Sequence, residues 1–264
     1  MEKNPVPESR SSVQTLDRTF DILETLSSRP RGASLTELSR TLSLHKSTVF
    51  RLLSALQNRR YVEKQGTTYR LGLEFIHIAS QYLNSLELKT EAEPLLRALS
   101  GSTGLTVFLA TRDQEEVVYI DKIGQYDSLR RYSVIGTRLP LYCTSLGRAF
   151  LMAESPAELN RTLAGLNLLP RTAHTVTSRE NLAKMVAEFR HRGWSEDIQE
   201  NQEGVRCVGA PVFDYRTKPI AAVSAVWNVD QEETDPRKIG EAVLRTAVEI
   251  SERLGCLSYP GAGA

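Results

Sequence analysis

Ser47, Arg51, Ser54 and Asn58 recur at offsets of 0, 4, 7 and 11 within the stretch KSTVFRLLSALQN. On a helix that spacing places them on one face. All four can donate hydrogen bonds, and Phe50 sits on their flank. Such a face suits the major groove of DNA. Arginine pairs bidentately with guanine, Ser or Thr reaches bases or phosphates, and an apolar group touches the thymine methyl. From Leu38 to Val62 there is no Asp or Glu, whereas His45, Lys46, Arg51, Arg59 and Arg60 all fall there. Residues 1–90 carry 13 Lys/Arg against 9 Asp/Glu, while the whole chain has a net charge of only +1. A basic patch confined to one end of a neutral chain points to a polyanion partner at that end. A solvated basic helix face has the same composition.

The second half is large enough to hold catalytic chemistry. It contains no GxSxG elbow, HExxH pair, Walker loop or GxGxxG. The histidines, His45, His77, His174 and His191, lack metal-ligand spacing, so no metal and no cofactor is expected. The acidic run SEDIQENQEG (195–204) suits a polar loop between strands, or carboxylates doing acid–base or cation-binding work. RLPLYCTSLGRAFL (138–151) passes from an extended stretch into a helix, with Thr144 or Ser145 as N-cap. The free N–H groups of that helix start would receive a carboxylate or phosphate, or simply be capped. Cys207 and Ser224 are small polar residues in apolar strands and need partners, either a ligand or the backbone.

The elements that must hold these residues are legible as periodicities. Val13, Leu16, Phe20, Leu23 and Leu26 mark an amphipathic helix, which Pro30 and Gly32 end. Ser34 and Glu37 form a capping box for LTELSRTL. A tight turn at Ser43–His45 leads to a second helix, 46–58, with Val49, Leu52, Leu53 and Leu56 on its apolar stripe. Tyr61–Lys64 and Thr68–Leu71 flank Gln65-Gly66-Thr67 as a hairpin. This order is that of a winged helix–turn–helix, with Lys64, Thr67 and Arg70 on the wing near phosphates. Any small helical domain with an attached hairpin shares the order. Phe75, Ala79, Tyr82 and Leu86 then form a short heptad-like seam, suited to pairing with a second subunit or to packing on its own domain. Beyond residue 91, strands are expected at 105–110, 116–123, 129–136, 205–214 and 219–227. Helices are expected at 86–100, 145–153, 156–164, 179–192 and 236–254. Runs of both kinds without strict alternation indicate an α+β fold with a largely antiparallel sheet.

At 264 residues the chain suits two modest domains. No apolar run approaches a membrane span, and the opening MEKNPVPESRSS reads as a disordered tail rather than a signal peptide. Three dispersed cysteines form no disulfide framework, so the reducing cytoplasm is the expected compartment. The boundaries drawn are 1–11 tail, 12–73 winged helix–turn–helix, 74–90 linker and dimerisation helix, and 91–258 effector-binding domain.

Five stretches in this order carry a resemblance: TLDRTFDILETL, SLTELSRTLSLHKSTVFRLLSALQNRRYV, RRYSVIGTRLPLYCTSLGRAFL, RGWSEDIQENQEGVRCVGAPVFD and PIAAVSAVW. Across about residues 12–256 the chain resembles the IclR family of bacterial transcription regulators. The resemblance implies a winged DNA reader, a dimerising linker helix and a GAF-like C-terminal domain that binds a small organic acid. It implies a regulator, in the first instance a repressor of catabolic genes, acting as a homodimer or homotetramer on a palindromic double-stranded operator. The DNA-contacting set expected is Thr36, His45, Lys46, Ser47, Thr48, Phe50, Arg51, Lys64, Thr67 and Arg70. The effector's carboxylate would lie at Thr144, Ser145 and Leu146, with Asp197, Cys207 and Ser224 around it. Two departures alter pocket polarity: Val226 stands where a second Ser is frequent, and Ser145-Leu146 where a Gly-Ala pair is common. LRRYSVIGTRLPLYCT looks most like members that control sugar-acid breakdown. Arg130, Arg131 and Tyr132 would suit a hydroxylated carboxylate, since an arginine fork binds it bidentately; a strand's solvent face accommodates the same arginines. The alternative from another class is a sugar-acid enzyme with an accessory N-terminal helical domain. A metal-sensing regulator, supported only by scattered Cys and His, is a third.

Overall fold

The computed structural model describes residues 14–84, 87–124, 134–231 and 234–260, the side chains of 80 and 82–84 excepted. The chain divides into two compact units, Met1–Leu83 and Asn84–Ala264.

In the first unit, helix α1 (Gln14–Ser27) precedes a two-residue strand β1 (Ala33–Ser34) and helix α2 (Leu35–Thr41). The Ser34/Glu37 capping box forms as the sequence predicts: the Ser34 hydroxyl accepts from Glu37 N at 3.3 Å, and Glu37 Oε2 accepts from Ser34 N at 2.7 Å. Those bonds hold the Glu37 carboxyl below its ordinary range. Ser43 takes a left-handed backbone (φ 53°) and turns the chain into α3 (Lys46–Asn58). The hairpin runs as β2 (Val62–Gln65) and β3 (Thr68–Leu71), one residue later on its first arm than the alternation suggests. The pattern missed β1, which pairs with β3 to complete a three-stranded sheet in the order β1-β3-β2; two residues are too few to show a period. Ile22, Leu38, Val49, Leu53, Val62 and Tyr69 are among the buried residues that form this unit's core. Helix α4 (Glu74–Asn84) follows. Tyr61 and Phe75 meet edge to face at 5.2 Å. Of the expected seam of Phe75, Ala79, Tyr82 and Leu86, the side chains of Tyr82 and Leu86 lie outside the described residues.

The second unit opens with α5 (Glu87–Thr103), which continues three residues past the expected end, and is built on one antiparallel sheet. Its strands are β4 (Thr106–Asp113), β5 (Glu116–Ile123), β6 (Arg138–Pro140), β7 (Ser195–Ile198), β8 (Val205–Phe213) and β9 (Pro219–Asn228), in the order β6-β5-β4-β9-β8-β7. The expected strand at 129–136 is corrected: residues 134–137 are turn and coil, the strand lies at 138–140, and 129–133 are outside the described residues. The expected loop at 195–204 is also corrected, since Ser195–Ile198 form the edge strand β7. The adjacent acids Glu196 and Asp197, and the polar run 199–203 that follows, hid its alternation, in which Ser195 and Asp197 turn inward. Helices α6 (Ser145–Ala153) and α8 (Arg179–Arg192) cover one sheet face. Helix α7 (Pro156–Gly165) packs on α8, and α5 and α9 (Pro236–Arg253) pack on the sheet as well. Among the described residues no helix is long and apolar enough to cross a membrane.

Candidate nucleic-acid interface and effector pocket

Helix α3 is oriented by its apolar stripe. Val49, Leu53 and Leu56 are buried, which turns Lys46, Ser47, Phe50, Arg51 and Asn58 outward. His45 is the N-cap: its Nδ1 accepts from Ser47 N at 3.3 Å and lies 2.7 Å from the Ser47 hydroxyl. His45 therefore fixes the first turn of the helix as well as standing at its exposed start. Lys46 and Arg51 have no hydrogen-bond or ion-pair partner among the described residues, so their donors are available. Ser54 is different, because its hydroxyl donates to Phe50 O at 2.8 Å. Of the four-residue face, Ser54 is thus spent on its own helix. Phe50 is 52% exposed, unusual for a large ring with no role in the core. Thr36 on α2 is exposed, and Thr48 is half-buried. On the hairpin, Lys64 and Thr67 are exposed, with Lys64 Nζ 5.5 Å from the Tyr69 ring centroid. Arg70 is partly tied down, its Nε donating to Arg31 O at 3.3 Å. Of the residues predicted from sequence, Thr36, His45, Lys46, Ser47, Phe50, Arg51, Lys64 and Thr67 are exposed, Thr48 and Arg70 are half-buried, and α3 carries no carboxylate.

In the second unit the pocket residues are brought together by strand register. Asp197, Cys207, Val226 and Thr106 are direct neighbours across β7, β8, β9 and β4. The next row on the same face is Ser195, Gly209, Ser224, Phe108 and Lys122. The third is Pro211, Ala222, Ala110 and Tyr119. Directly opposed residues in antiparallel strands share a face, as do residues two apart along a strand. Helix α6 lies over these rows. Thr144 is its N-cap, accepting from Gly147 N at 3.0 Å and donating to Pro140 O at 2.8 Å. The helix start sits very close to the sheet: a Cβ on Gly209 would be 2.9 Å from Ser145 O. Ser195 donates to that same carbonyl at 2.6 Å. Thr144, Ser145 and Leu146 are all buried here, as are Asp197 and Ser224. Arg130, Arg131 and Tyr132 lie outside the described residues.

The electrostatics follow from burial. The Asp197 carboxyl, 3% exposed, is pushed up to about 7 by desolvation; bonds from Glu200 N and the nearby Arg148 charge oppose the shift. Burial pushes Cys143 up to about 12 and Cys207 well above its ordinary value. Both thiols are therefore neutral, which excludes thiolate chemistry. Cys207 lies in mid-strand packed against the main core and is half-buried, with the Ser145 side chain beside its sulfur. Beneath α6, Arg148 is fully buried and donates from Nη1 and Nη2 to Glu200 at 2.5 Å each. Its Nε and Nη1 also donate to Tyr142 O and Glu196 O at 2.8 Å. That pairing uses up the guanidinium, and it fixes the loop whose Glu200 N–H holds Asp197 at 2.8 Å. Lys122 supplies an ammonium on this face, 5.8 Å from the Phe108 centroid.

Three residues of this face were not singled out from sequence: Thr106, Tyr119 and Lys122. Thr106 is 2% exposed, with a hydroxyl that has no partner among the described residues. It stands beside Val226, where the second Ser is missing. The register with β9 is what reveals it, and no local motif marks it. Glu200 was read within an acidic run; its burial against an arginine fifty-two residues away needs the fold. Among the described residues no group of three His, Cys, Asp or Glu could hold a metal ion.

Residues 15–66 match the family described as IclR helix-turn-helix domain, and residues 80–252 match Bacterial transcriptional regulator IclR C-terminal. The chain is 34% identical over 252 residues to the HTH-type transcriptional regulator KdgR of Escherichia coli K12, covering 94% of this chain and 95% of that one. It is 31% identical over 249 residues to the transcriptional repressor IclR of the same organism, covering 92% and 90%. The crystal structure of the Thermotoga maritima IclR superposes with a TM-score of 0.80 at 30% identity, over 91% of this chain and 98% of that one.

Proposed function

Since the chain belongs to the IclR family of bacterial transcription regulators, we propose that it is a repressor whose grip on operator DNA is set by a small organic acid bound under α6. The α3 surface carries the DNA half of this reading. Ser47, Thr48 and Arg51 enter the major groove, Phe50 reaches a thymine methyl, and Lys46 with the wing residues Lys64, Thr67 and Arg70 holds phosphates. Thr36 and His45 position the helix start against the backbone. The single observation that carries it is an exposed helix face with unpaired Lys46 and Arg51 and no carboxylate.

The pocket half rests on Thr144, Ser145, Leu146, Asp197, Cys207 and Ser224 sharing one enclosed sheet-and-helix surface. A carboxylate is received by the N-terminus of α6; Arg130, Arg131 and Tyr132 are residue types that suit a hydroxylated carboxylate. Sugar acids and 2-keto acids are the classes to screen first. The effector changes DNA affinity only to the extent that it binds the DNA-competent and DNA-incompetent arrangements unequally. A second copy of the chain completes the regulator: Leu16, Phe20, Leu73 and Ile76 are each more than half exposed on α1 and at the start of α4, apolar area that a dimer would cover.

Fluorescence anisotropy on the duplex upstream of the gene, titrated with salt against a scrambled duplex, tests the reading. Selective binding with a steep salt slope, weakened by an acid from the panel, is the expected result. Binding no better than to scrambled DNA, with and without the acids, would overturn it. Light scattering on the same sample gives the assembly state.

A further inference from the structure

Tyr119 is 9% exposed and stacks on Phe108 at 4.6 Å with 23° between the rings. Its hydroxyl has no hydrogen-bond partner among the described residues. Other tyrosine hydroxyls of this unit are satisfied: Tyr142 donates to Leu169 O at 2.7 Å and Tyr259 to Pro211 O at 2.6 Å. The oxygen is not among the fully buried polar atoms left unpaired, as Thr106 Oγ1 is, so it keeps contact with accessible space where a ligand can reach it. Burial pushes the phenol above its ordinary value, and the nearby Cys207 and Asp197 add to the shift. It is therefore a neutral donor at any working pH.

The sheet register sets the scale. Tyr119 is on β5 and Cys207 on β8, three strands away in the order β5-β4-β9-β8. At the usual strand spacing that is roughly 14 Å. The tyrosine ring, lying over Phe108 on β4, spans part of this distance. The remainder is floored by Ser224, whose hydroxyl also has no partner among the described residues, and by Cys207. A ligand placed between the phenol and the start of α6 would span it. Its α6 end meets helix N–H groups, and its β5 end meets one hydroxyl on an aromatic wall.

We propose that Tyr119 is a specificity-determining residue of this pocket, donating a hydrogen bond to a hydroxyl or carbonyl oxygen that the bound acid carries at the end remote from its carboxylate. The inference rests on the reading that the α6-covered sheet face is the effector site. It narrows the ligand to oxygen-substituted acids, whether a sugar acid or a phenolic acid. An acid without the remote oxygen leaves the phenol unpaired in the complex, and pockets built around a hydrogen bond discriminate strongly on that basis.

Isothermal titration calorimetry on the full-length protein tests this with matched pairs: gluconate against 6-deoxygluconate, and 4-hydroxybenzoate against benzoate. In one pair at least, the oxygenated acid should bind the wild type about ten- to a hundredfold more tightly. Tyr119→Phe, with an unchanged unfolding midpoint, should bring that pair to near parity by weakening only the oxygenated member. Equal weakening of both members, an undiminished preference, or binding by none of the four acids would overturn the proposal. Asp197→Asn separates the two levels of the argument. If it weakens the acids while Tyr119→Phe does not, Tyr119 falls and the pocket stands; if acids bind and neither variant changes them, the pocket itself is elsewhere.

Discussion

Replacing Glu200 by Gln should destabilise the effector unit severely while sparing the DNA-reading unit. Arg148 is fully buried, and its guanidinium makes four hydrogen bonds, two of them to Glu200. The amide keeps the shape but strands a positive charge out of reach of water, a change that costs about 3–5 kcal/mol. In a unit of about 180 residues that corresponds to a midpoint lower by roughly 6–20 °C, at about 2–4 °C per kcal/mol. Both tryptophans, Trp194 and Trp227, are buried in this unit, so urea unfolding followed by their fluorescence reports on it selectively. Replacing both partners, as Arg148→Met with Glu200→Leu, should cost much less than the sum of the single changes, because no charge is then left alone. Glu180→Gln provides the control: its pair with Lys184 spans 2.7 Å on the exposed face of α8 and should matter by less than about 1 kcal/mol. If Glu200→Gln cost no more than that control, the pair would be water-accessible and the reasoning from burial would be wrong.

Arg51→Ala should lose about 1–3 kcal/mol at one base position and relax the preference there, whereas Lys46→Ala should weaken all sequences alike and reduce the salt slope by about one; anisotropy on single-base operator variants separates the two patterns. Asp197 has a folded value of about 7 against an ordinary 3.8. The folded state therefore holds its proton more tightly, and the stability this group contributes is full below about pH 4 and lost as pH rises to about 7. Asp197→Asn should accordingly gain on the wild type by a few kcal/mol between pH 4 and pH 8 in urea unfolding, and a pH-independent difference would refute the assignment. At Gly147 a Cβ would lie 2.3 Å from Leu141 Cα, so Gly147→Ala must displace the start of α6. A loss of at least about 1–3 kcal/mol in the same assay is expected, together with weaker acid binding.

The DNA-reading end could be derived almost entirely from local sequence. Caps, turns and amphipathic stripes act over three or four residues, so Ser34 with Glu37, the turn at Ser43, and Val49 with Leu53 announce their own geometry. What local pattern did not disclose there was small: the short strand β1, and the loss of Ser54's hydroxyl to its own backbone. In the effector unit the periods gave most helices and long strands. They failed on β7, where inward Asp197 is masked by flanking charge, and on the segment before β6. The pocket belongs to tertiary structure. Asp197, Cys207, Val226 and Thr106 are separated by up to 120 positions and become neighbours only through the register of four strands. Burial likewise exists only after folding. It makes Asp197 titrate near neutrality, commits Arg148 to Glu200, and leaves the Tyr119 hydroxyl without a partner among the described residues. Sequence determines what each segment can form by itself; the pairing of distant segments decides which polar groups lose water and which remain to meet a ligand.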